Sequence, residues 1–348
     1  MDLKTVHRII FGNASAELTS FCDSPVDLVV TSPPYPMISI WDRAFSVLDE
    51  RIANALIDAN GEKAFELMHM QLDEVWKKLY EVLNPGGIVC INIGDATRSI
   101  GGRFHVFPNH ARILNSCTSA GFDVLPEILW RKQSNKPNKF IGSGMLPPGA
   151  YPTQEHEYVV ILRKGAKRIF SDGDALRRRY ESAYFWEERN EWFSDVWEDI
   201  RGERQTSPAT GRRTSAFPLD FCYRLICMFS IIGDTVLDPF LGTGTTTLAS
   251  IAAGRNSAGI EIDSSLRDEI EQRLKKTVSL AGDLSGSRIA SHRKFISDRA
   301  AKAPASGKQH INMNYGFPVV TSQETELRLP ELVAVNSSSD GTVHATYR

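Results

Sequence analysis

Val26-Asp27-Leu28-Val29-Val30 is a short apolar run rich in β-branched residues, and it runs straight into Thr31-Ser32-Pro33-Pro34-Tyr35. Such a run suits a strand buried on both faces of a parallel sheet. Two successive prolines cannot donate to a sheet ladder, so the strand must stop there in a rigid turn. The turn sets carbonyl acceptors, the Ser32 hydroxyl and the aromatic ring of Tyr35 side by side. A planar group bearing an exocyclic NH2, as a nucleobase does, matches that combination. A purely structural Pro-Pro turn is the competing reading.

A second stretch constrains the fold further. Val236-Leu237 reads as a strand, Asp238-Pro239-Phe240-Leu241-Gly242-Thr243-Gly244 as a tight turn, and Thr245-Thr246-Thr247 as the start of a helix. Gly242 and Gly244 allow dihedrals and close backbone approach that other residues resist. The turn lacks the third glycine of a dinucleotide fingerprint and the lysine of a phosphate loop, which argues against NAD and ATP. About twenty residues on, the spacing of a ribose-binding acid, Ser257 to Asp263 forms another strand with Glu261 at its carboxyl end.

Composition narrows the class. With 348 residues and 42% hydrophobic content, the chain is large enough for one α/β domain with an insertion, or for two domains. Forty basic against 42 acidic residues give a net charge of −2, so nucleic-acid contact would need a local basic patch. Arg131 to Arg168 supplies one, with eight basic residues against two acidic. The five cysteines form no CxxC pair, which points to reduced thiols in the cytoplasm and to no bound metal. The first residues lack a signal-peptide layout, and the longest apolar run, Phe221 to Ile232, is too short to span a bilayer.

Thr31-Ser-Pro-Pro-Tyr35, Asp238-Pro-Phe-x-Gly-x-Gly-Thr-Thr246 and Gly259-Ile-Glu-Ile-Asp263 together resemble the β-class DNA amino-methyltransferases, over roughly Val6 to Ala281. The resemblance implies a Rossmann-like class I methyltransferase: a mostly parallel, twisted α/β sheet with helices on both faces and an inserted target-recognition region. It divides the chain into a catalytic half (1–164), a recognition insertion (165–213), a cofactor-binding half (214–281) and a C-terminal extension (282–348). It assigns the chemistry to Ser32, Pro33, Pro34 and Tyr35. It assigns S-adenosylmethionine to Asn13, Thr31, Ser215, Phe217, Asp238, Pro239, Phe240, Gly242, Gly244, Thr245, Thr246, Glu261 and Ile262. Asn13 stands where the family has Asp, and an ordinary turn asparagine is the alternative there. Asp238 is expected near the ammonium or sulfonium end, and Glu261 on the ribose hydroxyls.

Double-stranded DNA is the implied partner, and a homodimer is compatible with the resemblance. Trp41 follows the turn on a loop suited to close over a base. Arg131, Lys132, Lys136 and Lys139 lie in the basic stretch, and Arg177, Arg178 and Arg179 lie in the insertion; with Trp41 these are the expected DNA contacts. Trp130 reads either as a pocket wall or as core. His156 before a strand reads as structural. Leu284 to Lys308 reads as a mobile arm.

The implied activity is methyl transfer to the amino group of a flipped base, as in restriction-modification. Ser at position 32 favours N4 of cytosine, with N6 of adenine as the alternative. A catalytically silent DNA-binding protein and an RNA methyltransferase on the same fold are further alternatives.

Overall fold

A computed structural model describes residues 3–21, 25–132, 142, 144–171, 173–202, 205–206, 213–214, 217–302, 309–338 and 341–348. The chain begins with β1 (Lys4–Phe11), α1 (Ala14–Glu17), β2 (Val26–Thr31), α2 (Asp42–Leu48), α3 (Glu50–Ile57), α4 (Gly61–Val82) and β3 (Leu83–Ile93). The hairpin β4 (Ala96–Ile100) and β5 (Arg103–Phe107) precedes α5 (Asn109–Ser119), β6 (Asp123–Arg131) and β7 (His156–Arg163). Next come α6 (Gly173–Glu181), α7 (Trp186–Trp192), β8 (Val196–Trp197), and the ribbon of β9 (Gln205–Thr206) with β10 (Arg213–Thr214). They lead to α8 (Leu219–Phe229), β11 (Thr235–Asp238), α9 (Thr245–Ala252), β12 (Asn256–Glu261), α10 (Arg267–Leu274) and α11 (Thr277–Lys302). The chain finishes with the ribbon of β13 (His310–Ile311) and β14 (Pro318–Val319), then β15 (Leu332–Ser337) and β16 (Val343–Tyr347).

Ten strands form one sheet in the order β15-β16-β1-β12-β11-β2-β3-β7-β6-β8. Its centre, β1-β12-β11-β2-β3, is parallel. All six residues of β2 are buried, as expected of a strand covered on both faces. On one face α4 lays down Leu72, Val75, Trp76, Leu79 and Val82, at the three- and four-residue spacing of an amphipathic helix. On the other face α8 and α9 pack with Trp130, Trp197 and Phe221. This is the expected Rossmann-like architecture.

The order of strands reverses once in this parallel centre. The chain leaves β2 through α4 and arrives on one side at β3, whereas it leaves β11 through α9 and arrives on the other side at β12. A crevice therefore opens between β2 and β11 at the carboxyl edge, the place where open α/β sheets bind ligands. Both motif turns emerge there.

α2 and α3 are separate helices, because Asp49 between them is extended (φ −151°, ψ 111°) and caps α3 by accepting from the Arg51 amide. Of the stretch Leu284 to Lys308 expected as a mobile arm, the part to Lys302 is helical, within α11, which packs on α9 and β15, and 303–308 lie outside the described residues. The C-terminal extension adds two strands to the sheet: β16 pairs with β1 and carries β15 on its outer side. The insertion likewise gives the sheet an edge strand, β8, beside β6. No helix among the described residues is long and apolar enough to cross a membrane.

Candidate functional site

At the carboxyl edge, Thr31 Oγ1 donates to Asp238 Oδ1 at 2.6 Å, joining the end of β2 to the end of β11 across the crevice. Thr246 Oγ1 donates to Asp238 Oδ2 at 2.5 Å, and the Phe240 amide donates to Oδ1 at 3.0 Å. The side chain is 1% exposed. Burial pushes its carboxyl up to about 6, against the three hydrogen bonds, which favour the charged form. All three bonds tie the Asp238 carboxylate to the protein itself. It clamps the two turns and α9 together.

Glu261 stands at the end of β12. Its Oε2 accepts from the Gly242 amide at 2.7 Å and its Oε1 from the Asp263 amide at 2.8 Å. Burial raises its carboxyl above the ordinary value. Gly242 (φ 55°) and Gly244 (φ 83°) are both left-handed, and Gly244 begins α9. A Cβ on Gly242 would meet nothing within 4 Å, so the space in front of this turn is open. Beside it, Ile262 is 63% exposed and Phe240 is half-buried. An open turn, an acid at the strand end and apolar surface at the rim suit an adenosyl cofactor. Pro239, Thr245 and Thr246 are buried beneath it.

Asn13 caps α1: its Oδ1 accepts from the Ser15 amide at 2.9 Å and the Ser15 hydroxyl at 2.8 Å. The Gly12 amide ties this turn to the Glu261 carbonyl. Phe217 is core, stacked on Phe221. Ser215 lies outside the described residues. Arg273 was not legible from motif: its guanidinium bonds the Thr243 carbonyl and hydroxyl, holding the glycine turn from α10.

On the β2 side, Tyr35 is 7% exposed. Its hydroxyl accepts from Ser32 Oγ (3.2 Å) and Asn92 Nδ2 (2.9 Å) and donates to Glu157 Oε2 (3.0 Å). Glu157 also takes Asn92 Nδ2 at 2.8 Å and an ion pair from Lys132 at 2.8 Å. Pro33 is buried and Pro34 half-buried. The following loop is pinned by Asn109, whose Nδ2 donates to the Pro36 and Gly94 carbonyls. Met37 holds φ 66° there, an unusual dihedral for a side-chain-bearing residue. Trp41 is half-buried and packs against the core below the loop. Asn92, Asn109 and Glu157 carry no local motif; an acid within the apolar strand His156–Arg163 was the available signal. His156 packs edge-on to Tyr158.

The basic residues divide. Arg131 pairs with Glu155 and Glu198 at the carboxyl edge. Lys132 pairs with Glu157 and lies over Trp130, which is fully buried and donates to the Ile200 carbonyl. Lys136 and Lys139 lie outside the described residues. Arg177, Arg178 and Arg179 are not beside the site. Their helix α6 sits at the amino edge, where Ser182 accepts from the Ile232 amide just before β11. Arg177 pairs with Glu181, Arg178 reaches Gly233, and Arg179 covers Phe170.

The profile of a family described as DNA methylase, covering N6 and N4 enzymes, matches residues 26–272. The type II methyltransferase M.MthZI of Methanothermobacter thermautotrophicus is 50% identical over 330 residues, 94% of this chain and 91% of that protein. M.MjaI of Methanocaldococcus jannaschii, also a type II methyltransferase, is 52% identical over 285 residues, 79% of this chain and 93% of that protein. A DNA modification methylase of Thermus thermophilus, solved with S-adenosyl-L-methionine, superposes with a TM-score of 0.62 at 32% identity, covering 78% of this chain and 94% of that one.

Proposed function

We propose, from the premise that this chain belongs to the DNA methylase family, that it methylates the exocyclic amino nitrogen of a base flipped out of duplex DNA, N4 of cytosine in preference to N6 of adenine. S-adenosylmethionine is the methyl donor. The observation that carries the reading is the Thr31–Asp238 hydrogen bond, which holds the Ser-Pro-Pro-Tyr turn against the glycine turn at the switch point.

Glu261 would hold the ribose hydroxyls, the Gly242 and Gly244 turn the methionine end, and Ile262 and Phe240 the adenine. Bound there, the cofactor supplies an electrophilic methyl on a good leaving group. A stacked base hides its amino nitrogen, so the base must leave the duplex. Ser32 Oγ and the Pro33 carbonyl accept its amino hydrogens, which draws the nitrogen lone pair out of conjugation and orients it. Among the described cysteines none serves as a nucleophile: Cys90, Cys117, Cys222 and Cys227 are all buried, and burial drives the first three thiols up.

Incubating the full chain with tritiated cofactor and amplified, unmodified genomic DNA, then digesting to nucleosides for mass spectrometry, tests each part. N4-methylcytosine is expected. N6-methyladenine alone would overturn the choice of base, transfer preferring competing RNA would overturn the substrate, and no transfer to any duplex would overturn the enzyme reading.

A further inference from the structure

We infer that Ser32, Tyr35 and Glu157 form a proton-exit chain for the transfer, with the Glu157 carboxylate as its end. The inference rests on Ser32 receiving an amino hydrogen of the target base. Every hydrogen bond in the chain points one way, from Ser32 Oγ to Tyr35 Oη and from Tyr35 Oη to Glu157 Oε2. The oxygen lone pairs of Ser32 are thereby left to accept from the base.

Methylation needs such an exit. The nitrogen forms its C–N bond as the sulfur–methyl bond breaks with its electron pair left on sulfur, and the nitrogen is then positive with one proton too many. That proton passes to Ser32 Oγ, the Ser32 proton to Tyr35 Oη, and the Tyr35 proton to Glu157 Oε2. Glu157 ends as a neutral acid and returns the proton to water on product release. A serine hydroxyl alone is too weak a base to keep the proton, so an onward acceptor is required.

The surroundings fit this role. Asn92 donates both to Tyr35 Oη and to Glu157 Oε2, fixing their mutual orientation, and Lys132 Nζ lies 2.8 Å from the other carboxyl oxygen, Oε1. Burial, then the Glu157 charge, drives the Tyr35 phenol well above its ordinary value, so it passes a proton through without becoming phenolate. Gly94 makes room: a Cβ there would lie 3.2 Å from Tyr35 Cε2 and 3.3 Å from Glu157 Cγ.

Tyr35→Phe keeps the ring and removes only the relay atom. In single-turnover methylation of amplified genomic DNA, this variant and Glu157→Gln are each expected to be on the order of 100-fold slower. Cofactor affinity by calorimetry and DNA affinity by filter retention should stay within about threefold of the unaltered chain. The double variant should be no slower than the slower single one, because both cut the same chain. The solvent isotope effect of the unaltered chain should disappear in Tyr35→Phe. A normal rate in Tyr35→Phe, multiplying losses in the double variant, an unchanged isotope effect, or loss of cofactor binding would each overturn the relay. Ser32→Ala separates the two readings: normal activity would sink the amino-acceptor role itself, whereas a slow Ser32→Ala beside a normal Tyr35→Phe would sink the relay alone.

Discussion

Thr31 and Asp238, 207 positions apart in the chain, share a buried hydrogen bond of 2.6 Å at the point where the sheet reverses its strand order. The bond sets the spacing between the turn that would present a base and the turn that would present a methyl group. Proximity of that kind is where most of the catalytic effect of a direct transfer arises.

Thr31→Val keeps the shape and removes the donor. A buried bond to a charged group is worth about 1–3 kcal/mol, so urea unfolding should show a loss of that size. Cofactor affinity, read by calorimetry, should fall with it. Unchanged stability would mean the bond does not hold the crevice.

Asp238 makes stability depend on pH. Its folded value of about 6 lies above the ordinary 3.8, so the folded chain binds this proton more tightly than the unfolded chain. The resulting stabilisation is complete below about pH 4 and lost as pH rises through about 6, on the order of 3 kcal/mol in all. Asp238→Asn should flatten unfolding free energy against pH in that window. It should also lower stability throughout, because an amide NH2 must then face Thr31, Thr246 or the Phe240 amide. A slope that survives the substitution would assign it to another group.

Glu261 and Tyr35 should separate binding from transfer. Glu261→Ala is expected to weaken cofactor binding at least tenfold, seen by calorimetry. Tyr35→Ala is expected to abolish transfer with cofactor affinity nearly intact, at a cost of about 3 kcal/mol or more in stability because the ring is buried. Equal effects on cofactor affinity would contradict this division.

Arg179 lies at the amino edge over Phe170, away from the crevice. Arg179→Ala should leave DNA affinity and its salt dependence unchanged in filter retention. A shallower salt slope would show that α6 touches phosphate after all.

What the sequence revealed and what it hid follow from one physical difference. Ser32 to Tyr35, Gly242 to Gly244 and Glu261 announce themselves because their roles depend on local backbone: a proline stop, left-handed dihedrals, a strand end. Their neighbours Glu157, Asn92 and Arg273 were hidden because each acquires its role only from tertiary contact. Glu157 reaches Tyr35 through the antiparallel pairing of β7 with β3, a relation no spacing in the chain encodes. The arginines of α6 misled for the converse reason. Charge is visible in a sequence, but the edge of the sheet that carries it is not.

The placement of β1 has a consequence for how the protein is made. Its two neighbours in the sheet are β12 and β16, so β1 leaves the ribosome with no partner until residues 256–261 follow it. At about 5–20 residues per second, that wait is on the order of tens of seconds. Throughout it Lys4–Phe11 is an unpaired edge, open to chaperones and to wrong pairings.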